Sequence, residues 1–221
     1  MTIKQYIILG AAVVIIAGGA GGWYAYQKNK APQLVTSVDR EIEEDDRVRI
    51  EATIAEIVAK IGDDRETKDF NLWIELGNYK NILGDLSGAA VAYRIAVELD
   101  TTSPVAYSNL AGVLTEMKDV AGAEAAYKTV IEMAPIEGYF DKYAEFLKEN
   151  DRKEDYEKLL LNAIIKIGQQ PSLVSRLAVF YESEGRLEDA KTFYEILLKL
   201  LPDDENTKQD LKRVEGKISN E

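Results

Sequence analysis

The chain has 221 residues, 46% of them hydrophobic, enough for one folded domain beside a membrane segment and too little for a second globular domain. A formal charge of -12 excludes nucleic acid as a partner, because phosphate binding needs clustered Lys and Arg, while an acidic surface favours solubility. With no Cys and no His, disulfides, thiolate or imidazole metal ligands and His-based triads are excluded, so no metal or cofactor is expected.

After a short tail, residues 1–4, no charged residue occurs from Gln5 to Gln27. At about 1.5 Å per residue this stretch is long enough to cross a ~30 Å hydrocarbon core, and residues 5–27 are expected to form a transmembrane helix. Tyr6 at one end and Trp23, Tyr24 and Tyr26 at the other suit the two headgroup layers, with Lys4, Lys28 and Lys30 flanking them. A cleaved signal peptide is the rival reading, with Ala17 to Gly22 as the cleavage region. The uncleaved anchor is favoured because the apolar run continues to Tyr26, beyond an ordinary signal-peptide core. Lys4 and the amino terminus balance Lys28 and Lys30 in the charge rule, but so short a tail ahead of a span points to a signal anchor with the rest of the chain outside the cytoplasm.

Residues 28–36, with Ala31-Pro32, read as a linker. Residues 37–68 are expected to be an N-terminal helical segment packed on the repeats that begin at residue 70. Val35, Val38 and Ile42 share one helical face, and Ile50, Ile54, Ile57, Val58 and Ile61 make a cleaner stripe. The acidic run Glu43 to Asp46 reads as a solvated face. Asp63-Asp64 lacks the central Gly and alternating oxygen ligands of a calcium loop, so it reads as turn and cap.

From residue 70 the chain repeats itself. Ala89, Ala123, Tyr156 and Ala190 succeed one another at steps of 34, 33 and 34, and Tyr93, Tyr127, Leu160 and Tyr194 keep the same steps. So do Ala96, Val130, Ala163 and Leu197, and the pairs Leu76-Gly77, Leu110-Ala111, Tyr143-Ala144 and Leu177-Ala178. Two antiparallel helices approach closely only where a small side chain faces a large one, so small and bulky positions recur together in stacked hairpins. Gly84, Asp119, Asp151 and Gly185 mark turns within hairpins, and Pro104, Pro135, Pro171 and Pro202 mark the boundaries. Leu211, Val214 and Ile218 on an otherwise charged segment, 203–219, predict a capping helix.

The pattern resembles the tetratricopeptide repeat, Trp-x2-Leu-Gly-x2-Tyr, then Ala-x3-Phe, then Pro. Trp73, Leu76 and Gly77 match, as do Ala123, Tyr127 and Pro135, and Tyr181, Ala190, Tyr194 and Pro202. In the third unit Tyr156 replaces the small residue and Gly168 the closing Pro. The resemblance implies an all-α fold: an α-solenoid of about four hairpins, at 70–103, 104–136, 137–170 (degenerate) and 171–204, ended by the capping helix and preceded by the transmembrane helix.

It also implies a concave surface lined by the first helix of each hairpin, which docks a protein or peptide partner. The partner-binding residues expected there are Asn71, Asn78, Ser108, Asn109, Asp141, Lys142, Ser175 and Arg176, with Ile74, Thr115 and Glu182 beside them. Asn and Ser suit an extended peptide backbone, and Lys142 and Arg176 suit a carboxylate. Asn78, Asn109 and Lys142 match a carboxylate clamp found in some family members, whereas Ile74 and Gly138 stand where that clamp has Lys. No phosphate loop, nucleophile elbow or dinucleotide fingerprint occurs. Paired carboxylates such as Glu182 and Glu184 read as structural on so acidic a chain. The sequence therefore predicts a non-catalytic, membrane-anchored docking module. A cytosol-facing chaperone or precursor adaptor and a secreted repeat protein are the alternatives.

Overall fold

The computed structural model describes residues 34–61 and 69–220. The expected span at 5–27 lies outside the described residues, as do Asp63 and Asp64. Among the described residues no helix is long and apolar enough to cross a membrane. Ten helices and no strand occur among them: α1 (Glu44–Lys60), α2 (Phe70–Ile82), α3 (Leu86–Leu99), α4 (Pro104–Glu116), α5 (Val120–Met133), α6 (Glu137–Glu149), α7 (Lys153–Ile167), α8 (Pro171–Ser183), α9 (Leu187–Leu200) and α10 (Glu205–Ile218). Where the sequence predicts one folded domain, the contacts divide the chain into two units, 1–133 and 134–221. The division falls at Ala134, the residue that Pro135 bars from helical geometry, so α5 stops there.

Each hairpin turns in the same way. The backbone N–H of Asp85, Asp119, Arg152 and Arg186 reaches back to the carbonyl of Lys80, Leu114, Leu147 and Tyr181, each at 2.9 Å. This closes the first helix of every hairpin with a left-handed residue just before the donor: Gly84, Lys118, Asp151 and Gly185, at φ of 78°, 62°, 52° and 72°. The expected turn residue Asp119 is displaced by one position. Lys118 takes the left-handed geometry, and the Asp119 carboxylate accepts from the Gly122 N–H at 3.0 Å to open α5. Asp85 opens α3 in the same way, accepting from Gly88 N–H at 2.8 Å. Ser103 accepts from Ala106 N–H ahead of Pro104, so α4 begins with a capping hydroxyl and a residue that needs no donor.

In the first unit, hairpins α2–α3 and α4–α5 close by size complementarity. A Cβ added to Gly77 would overlap the Tyr93 ring, which is why this position holds no side chain. Trp73, Leu76, Ala92, Ile95, Ala96 and Ala106 form one buried cluster, on which α1 lays Ile57, with Ile54 and Val58 beside it.

The expected helix from residue 37 begins only at Glu44, and residues 34–43 are extended. Val35 N–H donates to Met117 O at 2.9 Å, Val38 N–H to Gly84 O at 3.0 Å, and Ser87 N–H donates to Thr36 O at 2.9 Å. These bonds satisfy groups that helix ends leave without partners, and they bind the segment as a strap across both hairpin turns. Val38, Arg40 and Ile42 are partly covered while Asp39, Glu41 and Glu43 are exposed, the alternation of an extended segment. Arg40 pairs with Glu116 at the second turn. Glu44, Asp45 and Asp46 then start α1 with negative charge at its positive end.

In the second unit, hairpins α6–α7 and α8–α9 lead into α10. Tyr156 occupies the position that is Ala in the other hairpins, and α6 and α7 pack less closely than the other pairs. Of α10 only Thr207 and Val214 are fully buried. Burial of Val214 is worth about 2 kcal/mol. Orientation comes from Glu182 on α8, which accepts from Arg213 at 2.7 and 2.9 Å and from Lys217 at 2.8 Å.

Candidate docking faces on the first helices

The eight expected site residues fall into two groups, one in each unit. In the first unit the α2 and α4 faces carry Asn71, Asn78, Ser108 and Asn109. Asn71 is exposed. The Tyr93 hydroxyl donates to Asn78 Oδ1 at 2.8 Å, and Asn109 Nδ2 donates to the same oxygen at 3.4 Å. Burial pushes the Tyr93 hydroxyl up to about 12, with Glu116 adding to the shift, so it remains a donor. With Asn78 Oδ1 doubly engaged, the Asn78 amide N–H2 and the Asn109 carbonyl oxygen remain as one donor and one acceptor side by side.

Ser108 does not join them. It is buried at 4% exposure, one turn before Ala111 on the stripe of α4 that faces the interior. Thr115 is half-buried, its hydroxyl donating to Ala111 O of its own helix at 2.9 Å. Ile74 packs against the core cluster beside Trp73.

In the second unit Asp141, Lys142, Ser175 and Arg176 lie on α6 and α8. Lys142 is exposed. Arg176, expected to meet a partner's carboxylate, is already held between two carboxylates of its own chain, Glu145 at 2.6 Å and Asp141 at 3.2 Å. The hydrogen bond from Arg176 holds the Glu145 carboxyl below its usual range. The Asp141 carboxyl is pushed up, because burial and the nearby Glu137 and Glu145 outweigh Arg176. Glu182 likewise turns to its own chain, accepting from Tyr194 at 3.0 Å as well as from α10.

One feature of the second unit escapes the sequence pattern. Beside Tyr156 a cleft of about 380 Å³ opens between the α6–α7 turn and α8, lined by Lys148, Arg152, Lys153, Ser175, Val179 and Phe180 among others. Tyr156 itself departs from the repeat, and that departure is the signal that marks the place. The rings of Tyr156, Phe180, Tyr181 and Phe193 run in series at centroid distances of 5.3, 5.7 and 5.3 Å.

These hairpins define an all-helical repeat fold. Residues 104–137, covering the second hairpin, match the family model described as tetratricopeptide repeat. Among solved structures the chain is similar to that of PilF from Pseudomonas aeruginosa, at 22% identity over 68% of this chain and 69% of that one, TM-score 0.50. It is similar to the MamA protein at 19% identity, over 67% and 82% of the two chains, TM-score 0.52. A second MamA structure gives 20% identity over 64% and 84%, TM-score 0.50. At these identities the likeness establishes the tetratricopeptide-type fold. No curated protein matches the chain.

Proposed function

We propose that the chain is a non-catalytic docking module, held at a membrane by residues 5–27, which captures a protein partner on the first-helix faces of its hairpins. The observation that supports this best is the Asn78–Asn109 pair. Tyr93 and Asn109 fix the Asn78 carboxamide so that one donor and one acceptor face outward together, the complement of a single peptide unit. The tetratricopeptide match at 104–137 includes Asn109 and supports the same reading. The acidic chain favours a protein over nucleic acid.

The unbroken apolar run at 5–27 supports the anchor, and placement of the repeats outside the cytoplasm is part of the same proposal. Protease added to intact cells and to spheroplasts separates this from the cytosol-facing alternative: exposure of the repeats once the outer barrier is opened is expected.

Docking is tested by Asn78→Ala with Asn109→Ala. Loss of Asn78 leaves the buried Tyr93 hydroxyl without its acceptor, so a modest fall in melting temperature is expected and retention is compared at a temperature where both chains are folded. Retention of crosslinked partner from native membranes is expected to fall about tenfold, the effect of losing one or two bonds at a contact centre. Undiminished retention at equal expression removes this face from the docking reading.

A further inference from the structure

We propose that the turn edge of the first unit is a membrane contact, with the α4–α5 turn resting against phospholipid headgroups. The inference rests on the anchor part of the reading above and adds to it which edge of the folded unit meets the lipid. What carries it is the strap. The Val35 N–H is bound to Met117 O at 2.9 Å and the Val38 N–H to Gly84 O at 3.0 Å, so the chain that arrives from residues 5–27 is fastened to the hairpin turns before α1 begins at Glu44.

Chain length sets the range. Eight residue steps separate Gln27, the end of the apolar run, from Val35, which at full extension is ~28 Å. Val35 meets the α4–α5 turn and Val38 the α2–α3 turn, so along the chain the α4–α5 turn is the point nearest the lipid. Helices α3 and α4 carry 14 and 13 residues, so their far ends, joined at residues 100–103, stand ~20 Å from the turns. The anchor therefore holds the turn edge near the surface and leaves the far edge free of it.

The side chains of that edge suit a headgroup layer. Lys118 is exposed in the left-handed position of the α4–α5 turn and makes no ion pair among the described residues. The carboxylates around the two turns are engaged: Glu116 pairs with Arg40, Asp119 accepts from Gly122 N–H at 3.0 Å, and Asp85 accepts from Gly88 N–H at 2.8 Å and from Lys80 at 2.7 Å. Val120, which opens α5, is 39% exposed, and Ile82, which ends α2, is 49% exposed. An ammonium on a long stem beside branched apolar side chains can reach lipid phosphate while the apolar groups cover the boundary beneath it. The exposed strap carboxylates Asp39 and Glu41 follow Val38, further along the chain from the anchor than the α4–α5 turn.

The chain has no cysteine, so one introduced cysteine carries one fluorophore. Ser37→Cys places it on the strap between the two turns and Thr101→Cys at the far edge, both at exposed positions. The full chain is reconstituted in phosphatidylcholine–phosphatidylglycerol vesicles containing a lipid with a nitroxide on its headgroup, which quenches only at short range. Quenching at position 37 is expected to be at least about threefold that at 101, the result of a ~20 Å difference in height. Lys118→Glu with Val120→Asp alters exposed side chains, is expected to keep the melting temperature, and lowers quenching at 37 about twofold. Lys118→Glu alone repeats the measurement should the pair fail to fold. Equal quenching at 37 and 101, stronger quenching at 101, or quenching at 37 untouched by the substitutions overturns the proposal. Flotation separates it from the anchor reading. A chain that leaves the vesicles on flotation overturns the anchor and this contact with it, whereas a chain that floats with an unquenched label at 37 overturns the contact alone.

Discussion

Gly84 and Gly77 show how single positions carry the fold for different reasons. At Gly84 the backbone is left-handed, and a Cβ would also overlap the Val38 carbonyl oxygen of the strap. Gly84→Ala is therefore expected to cost about 2 kcal/mol, combining left-handed strain with loss of the strap's close approach, read by urea unfolding. Gly77→Ala leaves the backbone unstrained but drives a methyl into the Tyr93 ring, at a similar cost from overpacking. Adding Tyr93→Ala to Gly77→Ala discriminates them: it removes the clash and opens a cavity, so the two substitutions are expected to be strongly non-additive. Additive costs would mean that the two residues do not meet.

Glu182 is a residue with a pH signature. Hydrogen bonds from Arg213 hold its carboxyl at about 2 against burial, with Lys217 and Tyr194 adding to the depression from an ordinary value of 4.5. Because the folded value is depressed, its contribution is complete above the unfolded value and is lost as pH falls through the folded one. Stability of the wild type is expected to fall on acidification from pH 5 towards pH 2 more than that of Glu182→Gln. Parallel pH profiles for the two chains would contradict a stabilising role for the Glu182 pairing with Arg213 and Lys217.

At the scale of elements, the strap and the terminal helix do comparable work at the edges of separate units. Residues 34–43 satisfy the Met117 and Gly84 carbonyls and the Ser87 N–H. Val38→Pro removes the donor that meets Gly84, and is expected to raise amide exchange in the two hairpin turns while leaving α1 protected. Unchanged exchange at Asp85 and Asp119 would mean that the strap does not hold the turns. Truncation before Asp203 removes α10 and uncovers the apolar face of α9, so lowered solubility and a lower melting temperature are expected.

The hairpins are legible in the sequence because every one repeats the same small and large positions, and a helical hairpin shows its packing within 34 residues. The strap is not. Val35, Val38 and Ile42 fit a helical face as spacing alone, and what decides against a helix is backbone hydrogen bonding to turns some 50 to 80 residues away. The alternation of Val38, Arg40 and Ile42 with Asp39, Glu41 and Glu43 is the available clue. The candidate site is half legible for a similar reason. Asn78 follows its Leu-Gly pair and Asn109 precedes its Leu-Ala pair, so they lie 31 positions apart, about one helical turn short of the repeat, and that offset brings them together. That Arg176 is engaged by Glu145 and Asp141 depends on side chains 31 and 35 positions earlier, and that Ser108 faces inward depends on the packing of α4 between α3 and α5.

For the whole molecule, docking on the first-helix faces leaves the second helices of each hairpin to packing and solvent. Ile165 on α7 is 82% exposed and belongs to a second helix, whereas Asn71 on α2 and Lys142 on α6 belong to first helices. A benzophenone amino acid placed at each of the three positions in the full chain, irradiated in native membranes, compares these faces directly. Adducts to the same partner from positions 71 and 142 and none from 165 are predicted. An adduct from 165 with none from 71 and 142 would contradict docking on the first helices.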